Sequence, residues 1–347
     1  MKEYIQLLQS LIQTQSFSGE EQGTAKILGD FLKEKNTLFE QQDFNLIAKN
    51  KHFDTSKPTI LLNSHHDTVK PNKAYTRDPF DGAIEEGTLY GLGSNDAGGC
   101  LVSLIATFCH FYEQENLKYN LVLAATAEEE NSGDKGIRSM LNILPKIDFA
   151  IVGEPTQMNM AIAEKGLLVI DAKAKGVSGH AAHYNTVNPI LVALKDIQKL
   201  EQYKFEKVSE QLGEVKVSVT QINAGTQHNV IPAECSFVID CRVTEKYTLQ
   251  EVFEQLDELT ESKLKARSFK NNSSGIDENH PIVKAGINLG KSVYGSPTLS
   301  DQAALSCPSL KIGPGDSTRS HQADEYIHIH EIESGIKDYI KLLENIL

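Results

Sequence analysis

The sequence is short of cysteine, of long apolar runs and of positive charge. Its five cysteines are scattered, and no two of them have the two-residue spacing of a zinc ribbon or a redox site, which excludes a disulfide framework. No run of about 18 apolar residues is present, and the N-terminus lacks the apolar core of a signal peptide. We therefore expect a cytoplasmic protein with reduced thiols and no membrane partner.

Positive charge is outnumbered, because 34 Lys and Arg residues stand against 47 Asp and Glu residues and give a formal net charge of −13. Such a chain repels phosphate backbones and anionic lipids, so nucleic acid is excluded as a partner and a small cation or metal ion is favoured. The 347 residues, 40% of them hydrophobic, suffice for one large or two ordinary globular domains. The composition leaves open whether some of the carboxylates do chemistry.

The first half of the chain alternates between helix and strand patterns. Apolar residues at helical spacing predict helices over residues 4–12, 25–32 and 97–111. Continuous apolar runs predict strands over residues 45–48, 59–62, 121–125 and 149–152. Ser18 and Glu21 have the spacing of a capping box at the start of the second helix. Continuous apolar strands between helices are typical of a sheet covered on both faces, so we expect an α/β fold.

From about residue 164 the pattern changes to half-exposed strands. Alternating apolar and polar residues predict strands over 167–175, 215–222 and 235–243, with helices over 189–201 and 249–264. This order predicts a small α+β sandwich with one open sheet face. After a polar linker at 271–275, a strand at 310–312 and a helix at 331–347 resemble the first half again. We therefore predict a discontinuous domain over 1–163 and 277–347 that contains an inserted domain, 164–276.

Four of the predicted apolar strands run directly into residues that can bind metals. In chain order these residues are His65, His66 and Asp67; Glu128, Glu129 and Glu130; Glu154; and His321, which follows a Gly-Pro-Gly-Asp turn. Asp96 adds a further carboxylate where a glycine-rich turn meets the helix over 97–111. Each feature alone is typical of a solvated surface, but the carboxyl ends of neighbouring strands meet in one crevice. Together they suit Zn²⁺, Co²⁺ or Mn²⁺, and two ions if one carboxylate bridges.

These residues fall into five motifs in a fixed order. They are Ser-His-His-Asp-Thr-Val (64–69), Leu-Tyr-Gly-Leu-Gly-Ser-Asn-Asp (89–96), Thr-Ala-Glu-Glu-Glu (126–130), Val-Gly-Glu-Pro-Thr (152–156) and Gly-Pro-Gly-Asp with His321 (313–321). In these motifs the chain resembles the M20 metallopeptidase family, in the branch of acetylornithine deacetylase and succinyl-diaminopimelate desuccinylase. The resemblance covers nearly the whole chain. It implies a zinc-peptidase-like catalytic domain with a mixed sheet covered by helices, and an inserted lid domain that forms a homodimer.

The resemblance also implies a role for each residue of the cluster. His65 and Glu154 match the ligands of one ion, Glu130 and His321 match those of the other, and Asp96 matches the bridging carboxylate. Two further residues complete the set: Asp67 matches the acid that orients the first histidine, and Glu129 matches the general base. Neighbouring side chains on an extended backbone point opposite ways, which would separate the roles of Glu129 and Glu130. His66 remains a competing ligand to His65.

In the inserted domain the resemblance implies three further functional residues. His180, in Gly-Val-Ser-Gly-His, matches a histidine that stabilises the oxyanion, usually in the active site of the partner subunit. Asn229 and Arg242 match residues that hold the substrate, and an Arg fork suits a carboxylate. The alternative for Arg242 is a surface salt bridge, and His183 is expected to be an exposed loop residue.

The expected function is that of a di-metal amidohydrolase that removes the acyl group from a small N-acyl-amino acid, with N-acetylornithine as the first choice. N-acyl-citrulline, acyl-lysine and succinyl-diaminopimelate are alternatives, as are a dipeptidase, an aminopeptidase and a non-catalytic relative. The chain departs from its relatives at Ala97-Gly98-Gly99, where Met-Lys-Gly is usual, and at Glu128, where Asp is usual. These changes put the detailed substrate preference in doubt and leave every expected ligand in place.

Overall fold

The computed structural model describes residues 1–184 and 186–347. The chain forms two compact units. The first consists of Met1–Ile162, Gly275–Tyr294 and Ser300–Leu347, and the second consists of Ala163–Ser274 and Gly295–Leu299. Across the described residues, every helix is too short or too polar to span a lipid bilayer. All five cysteines are free thiols.

The helices and strands are numbered in chain order. The helices are α1 (Lys2–Ile12), α2 (Gln22–Glu34), α3 (Gly99–Phe111), α4 (Ile137–Met140), α5 (Pro189–Gln202), α6 (Leu249–Leu259), α7 (Pro281–Asn288) and α8 (Ile329–Glu344). The strands are β1 (Phe39–Gln42), β2 (Asn45–Lys49), β3 (Thr59–His65), β4 (Ile84–Glu85), β5 (Thr88–Tyr90), β6 (Asn120–Thr126), β7 (Phe149–Val152), β8 (Met160–Glu164), β9 (Gly166–Lys175), β10 (Gly179–His180), β11 (Lys216–Ala224), β12 (Val230–Ile231), β13 (Glu234–Val243), β14 (Lys263–Ala266), β15 (Ser274–Gly275), β16 (Val293–Ser296), β17 (Ser309–Lys311) and β18 (Tyr326–His328).

The first unit is built on a mixed sheet with neighbours in the order β1-β2-β6-β3-β7-β17-β8. Its four central strands, β6, β3, β7 and β17, are parallel to one another, while β2 and β8 pair antiparallel at their outer sides. The α/β class and the mixed sheet predicted from the sequence are therefore confirmed. Because the four central strands are parallel, their carboxyl ends lie at one edge of the sheet.

Helices cover both faces of this sheet. On one face, α1, α2, α3 and α8 pack in a large core, to which the fully buried Phe108, Phe149 and Tyr339 contribute. A smaller cluster on the other face joins Leu61, Val122 and Ala150 to residues of α4. This double burial explains why the central strands are apolar at every position instead of alternating.

The second unit is an α+β sandwich with the antiparallel strand order β11-β13-β9-β14. Alternate residues of β9 and β13 face α5 and α6 and are buried, whereas the residues between them are partly exposed. One face of the sheet is therefore open, as the alternation in the sequence predicts.

Two local predictions are wrong. The helix predicted over 249–264 ends at Leu259, because the buried Asp196 carboxylate accepts the N–H groups of Glu261 and Ser262 and turns the chain into β14. Ser18 makes no capping box, since its hydroxyl donates to the Asp67 carboxylate instead. Both errors arise because side chains distant in sequence compete for the local hydrogen bonds.

Candidate metal centre

The parallel strands deliver the predicted ligand residues to one edge of the sheet. His65 is the last residue of β3, and Glu129 and Glu130 follow the end of β6. Glu154 lies two residues beyond β7, and His321 follows β17 in the chain. The ligand atoms of His65, Asp96 and Glu130 all lie within 4.8 Å of one another, as do those of His65, Glu129 and Glu154. The structure therefore brings together side chains that were predicted as candidate ligands from separate parts of the sequence.

His65 is at the centre of the cluster and is only 1% exposed. Its Nδ1 lies 3.0 Å from the backbone oxygen of Asp67 and 3.3 Å from the Asp67 carboxylate. A backbone oxygen can only accept, so Nδ1 carries a proton. Burial opposes a charge on the ring, but the carboxylates of Asp67 and Asp96 raise the pKa of His65 well above its usual range. In the neutral ring that a metal ion requires, the lone pair is therefore on Nε2. The Nε2 atom has no hydrogen-bond partner and faces Asp96 Oδ1 at 3.4 Å and Glu129 and Glu154 oxygens at 3.9 Å each. A lone pair directed at three carboxylates fits a cation between them.

Asp96 lies between two histidines. Its Oδ1 is 3.4 Å from His65 Nε2, and its Oδ2 is 3.6 Å from His321 Nε2. His321 Nε2 is also 2.9 Å from Glu130 Oε2. The hydrogen bond with Glu130 raises the pKa of His321 to about 9. One carboxylate that presents a separate oxygen to each histidine has the arrangement of a bridge between two cations.

The remaining carboxylates are held close together despite their mutual repulsion. Burial, with the charges of Asp96 and Glu130, raises the pKa of Glu154 to about 8. Burial likewise raises the pKa of Glu129 well above its usual range, and that of Glu130 to a lesser extent. Clustered carboxylates with little exposure to water are unfavourable unless a positive charge compensates them. Divalent cations between these carboxylates and the unpaired Nε2 atom of His65 would provide that charge.

Asp67 organises the turn that carries the glutamates. Its carboxylate accepts the Ser18 hydroxyl at 2.7 Å and the backbone N–H groups of Glu129 and Glu130 at 3.0 and 3.2 Å. Burial opposes ionisation of Asp67, but the contacts with His65 and Ser18 keep its pKa below the usual value. The Asp67 side chain therefore holds both the histidine ring and the glutamate backbone in place.

The backbone of the glutamate triplet is not extended. Residues 127–130 form a bend and turn, and Glu128 has a left-handed φ of 54°. The predicted reason for the separate roles of Glu129 and Glu130, alternation along a strand, is therefore wrong. The turn directs Glu128 away from the cluster, where its carboxylate accepts the Lys135 N–H at 3.0 Å.

The His66 ring binds groups outside the metal cluster. Its Nδ1 lies 2.9 Å from the Thr24 hydroxyl, and its Nε2 lies 3.0 Å from the backbone oxygen of Phe44. Burial lowers its pKa to about 4, which keeps the ring neutral. With both nitrogens engaged, His66 has no free lone pair to offer a metal.

The departure at Gly98 is explained by packing. A Cβ atom there would lie 2.4 Å from the backbone oxygen of Gly93 and 2.5 Å from Leu8 Cδ1. In this chain the residues around position 98 leave no room for a side chain.

Two buried acids near the cluster were missed by the sequence reasoning. Asp301 accepts the Thr126 hydroxyl at 2.6 Å, and burial raises its pKa to about 6. Glu325 accepts backbone N–H groups from the segment that carries Asp96. The other candidate ligands were predicted because they follow apolar strands. Neither Asp301 nor Glu325 follows such a strand, so the sequence pattern did not indicate them.

In the second unit, the predicted residues have ordinary surroundings. His180 is exposed and pairs with Val230 between β10 and β12. The backbone oxygen of the exposed Asn229 accepts the Ala181 N–H at 2.9 Å, which brings the His180 and Asn229 segments together. Arg242 forms a two-point contact with Asp240 at 2.8 and 3.1 Å. The exposed His183 ring lies 5.7 Å from that of His180.

Comparison with known proteins supports the family. The model of peptidase family M20/M25/M40 matches residues 61–345. The chain is 27% identical to an acetylornithine deacetylase of Buchnera aphidicola, over 92% of this chain and 90% of that protein. It is 26% identical to a succinyl-diaminopimelate desuccinylase of Pseudoalteromonas translucida, over 99% of this chain and 98% of that protein.

Solved structures show the same fold. An M20 family metallo-carboxypeptidase from Sulfolobus solfataricus superposes with a TM-score of 0.80 at 18% identity, covering 100% of both chains. A Bacillus subtilis protein, described as a dinuclear metal binding peptidase from the M20 family, superposes with a TM-score of 0.76 at 17% identity, covering 99% of this chain and 97% of that one. The chain therefore belongs to peptidase family M20/M25/M40 and is a metal-dependent hydrolase of amide bonds.

Proposed function

We propose that the protein is a two-metal amidohydrolase that removes the acyl group from a small N-acyl-amino acid. The observation that carries the proposal is the position of Asp96, with one oxygen towards His65 and the other towards His321. A carboxylate so placed can serve two ions at once, and two ions suit hydrolysis of an amide whose carbonyl must be polarised while water attacks.

In this proposal each ion has two ligands of its own besides the shared Asp96. His65 and Glu154 hold one ion, and Glu130 and His321 hold the other. Histidine and carboxylate ligands favour Zn²⁺, with Co²⁺ or Mn²⁺ as substitutes. When bound, such ions supply Lewis acidity that lowers the pKa of water and polarises the acyl carbonyl.

Glu129 is the proposed general base. Its carboxylate faces the cluster, 3.9 Å from His65 Nε2, and its backbone is held by Asp67. From this position the Glu129 carboxylate takes a proton from the attacking water and delivers it to the nitrogen of the leaving amine. The products are a carboxylate and a free amino acid.

N-acetylornithine is the proposed substrate, with succinyl-diaminopimelate as the second choice. Curated relatives of both names match this chain almost end to end. The net charge of −13 is compatible with a cationic substrate but does not select one of the two.

Three residues of the second unit are proposed to contact the substrate. His180 would donate a hydrogen bond to the oxyanion, and Asn229 would hold the substrate. Asp240 engages Nε and Nη2 of Arg242, so the Nη1 group is left to bind a substrate carboxylate.

A homodimer is proposed because the second unit exposes apolar side chains. On α5, Ile190, Leu191 and Leu194 are 39%, 56% and 49% exposed, and Ile222 on the edge strand β11 is 53% exposed. An apolar helix face beside an unpaired strand edge favours association with a second copy of the chain. We propose a cytoplasmic location, which suits the five free thiols.

A substrate panel tests the proposed function. Purified enzyme loaded with Zn²⁺ would be assayed on N-acetyl and N-succinyl derivatives of ornithine, citrulline, lysine and diaminopimelate, together with a set of dipeptides. The proposal expects the highest kcat/KM on acetylornithine. Preference for a dipeptide would reassign the enzyme to the peptidases, and a zinc-loaded enzyme inert on the whole panel would contradict the substrate class.

A further inference from the structure

The Glu325 carboxylate binds the backbone of a single short segment. Its Oε1 accepts the N–H groups of Asn95 and Asp96 at 2.8 and 2.9 Å, and its Oε2 accepts that of Gly93 at 3.2 Å. The backbone oxygen of Glu325 accepts a fourth N–H, from Gly91, at 2.9 Å. Glu325 is only 2% exposed, so these donors replace the water that would otherwise hydrogen-bond to its carboxyl oxygens.

The same segment is held from a second direction. The Asn95 amide donates to the backbone oxygen of Asp316 at 3.0 Å, and its oxygen accepts the Asp316 N–H at 3.0 Å. Asn95 is fully buried. The main chain immediately before Asp96 is therefore fixed both by Glu325 and by the turn that follows β17.

The orientation of the Asp96 carboxylate is more tightly constrained than that of any other proposed ligand in the cluster. Its two oxygens must face His65 and His321 at the same time, at 3.4 and 3.6 Å. The Asp side chain is short, so the direction of its carboxylate follows the placement of its backbone. Sites of this kind require their ligands within about 0.5 Å of the productive geometry.

We propose that Glu325 is the positioning residue for the bridging carboxylate: it fixes the backbone of residues 93–96 so that Asp96 can serve both ions. The inference rests on the proposed two-metal function and adds a residue to it. Within the described residues, the hydrogen bonds of Glu325 reach the cluster through the backbone of residues 93–96, which carries Asp96.

Two substitutions at this position test the proposal. Glu325→Gln keeps one acceptor oxygen but turns an amide N–H₂ group towards the N–H groups it must bind, and Glu325→Asp keeps both carboxyl oxygens on a side chain that is one methylene shorter. Each variant would be stripped of metal and titrated with Zn²⁺ against a chromophoric chelator, and the absorption spectrum of its Co²⁺ form would be recorded. These readouts report the metal site without any substrate.

The expected result for Glu325→Gln is a loss of about 10- to 100-fold in affinity for the more weakly bound ion, with an altered Co²⁺ spectrum. The kcat should fall more than KM rises. Glu325→Asp should recover part of the affinity, because it retains two acceptor oxygens and introduces no amide donor.

Asp196→Asn is the matched control. Asp196 is a buried carboxylate in the second unit that accepts the N–H groups of Glu261 and Ser262 and the Ser262 hydroxyl. Its substitution also removes a buried carboxylate that binds backbone N–H groups. It should lower the melting temperature while leaving the Zn²⁺ titration unchanged.

The possible outcomes separate the inference from the function on which it rests. Unchanged Zn²⁺ affinity and Co²⁺ spectrum in both Glu325 variants, with only a lower melting temperature, would overturn the positioning role and leave the two-metal function intact. A wild-type protein that takes up no divalent ion would overturn both.

Discussion

The two units of the molecule carry their predicted functional residues in opposite ways. In the first unit, His65 is buried and the acids around it are mostly buried, and their ligand atoms lie within a few ångströms of one another. His321 is exposed at the rim of this cluster, and the pKa values of Glu154 and His321 are strongly shifted. In the second unit, His180 and Asn229 are exposed, and Arg242 is paired with a neighbour on its own strand.

The difference reflects what each group of residues must bind. A metal ion needs several ligands that converge on one point, so the first unit holds like charges close together, and a bound cation would offset their repulsion. Substrate contacts can remain solvated until the substrate arrives, so nothing in the second unit needs to be strained. Closely spaced acids with little exposure to water therefore identify a candidate catalytic site more clearly than exposed polar residues do.

The largest effect should come from removing the proposed base in the first unit. Glu129→Gln should lower kcat by about 10²- to 10⁴-fold, because proton transfer to and from the reacting groups is lost. Metal content, measured by atomic spectroscopy, should stay unchanged. The adjacent Glu128→Gln is the matched control, since Glu128 binds the Lys135 N–H and should leave kcat nearly intact. Equal losses in the two variants would reassign the base.

The next effect tests whether the exposed histidine of the second unit takes part in catalysis. His180→Ala should lower kcat by about 10²- to 10³-fold, as expected for a lost oxyanion donor, while zinc affinity stays at the wild-type value. His183→Ala, which removes the neighbouring exposed ring, should have little effect on kcat. If His180→Ala kept wild-type kcat, the second unit would have no chemical role through this residue.

A smaller effect is expected at the side chain that orients His65. Asp67→Ala should weaken zinc binding by about 10- to 100-fold, because it removes the carboxylate that contacts the His65 ring and holds the glutamate turn, while the backbone oxygen at position 67 still accepts from Nδ1. Competition against a chromophoric chelator measures this affinity. Asp171→Ala, which removes an exposed partner of Arg267 in the second unit, is the control and should not change it. An unaffected zinc affinity in Asp67→Ala would show that the turn holds without its carboxylate.

The smallest effect concerns stability and not activity. Burial lowers the pKa of His280, whose ring packs edge-on against Phe149 at 4.7 Å. The unfolded chain therefore binds more protons below about pH 6.5, and this histidine's share of the stability is present above that pH and lost as the pH falls. His280→Asn keeps a helix cap and should flatten the fall in melting temperature below pH 6.5. The control His110→Asn, at an exposed position, should leave the dependence of melting temperature on pH unchanged. If the melting temperatures of wild type and His280→Asn fell equally steeply with pH, the role of His280 would be contradicted.

The sequence predicted the fold where the pattern was repetitive. Apolar strands leading into ligand residues were enough to place His65, Glu130 and Glu154 at neighbouring strand ends, and the alternation in β9 and β13 was enough to predict an open sheet face. The α/β class and the family are confirmed, whereas the roles of the individual site residues remain predictions.

What the sequence could not predict depended on contacts between distant segments. Ser18 matched a capping box, but Asp67, far along the chain, binds its hydroxyl. Glu325 follows no apolar strand, and its importance emerges only from the three N–H groups that converge on it. Hydrogen bonds of this kind leave no periodic trace in a single sequence.

The number of metal ions bound per chain tests the bridged two-metal centre most directly. After exposure to Zn²⁺ and exhaustive dialysis, atomic spectroscopy of the wild-type protein should find two ions per chain. Asp96→Ala, which removes the shared ligand, should retain fewer than one. A wild-type protein with one ion or none, or an Asp96→Ala variant that still holds two, would contradict the bridged two-metal centre.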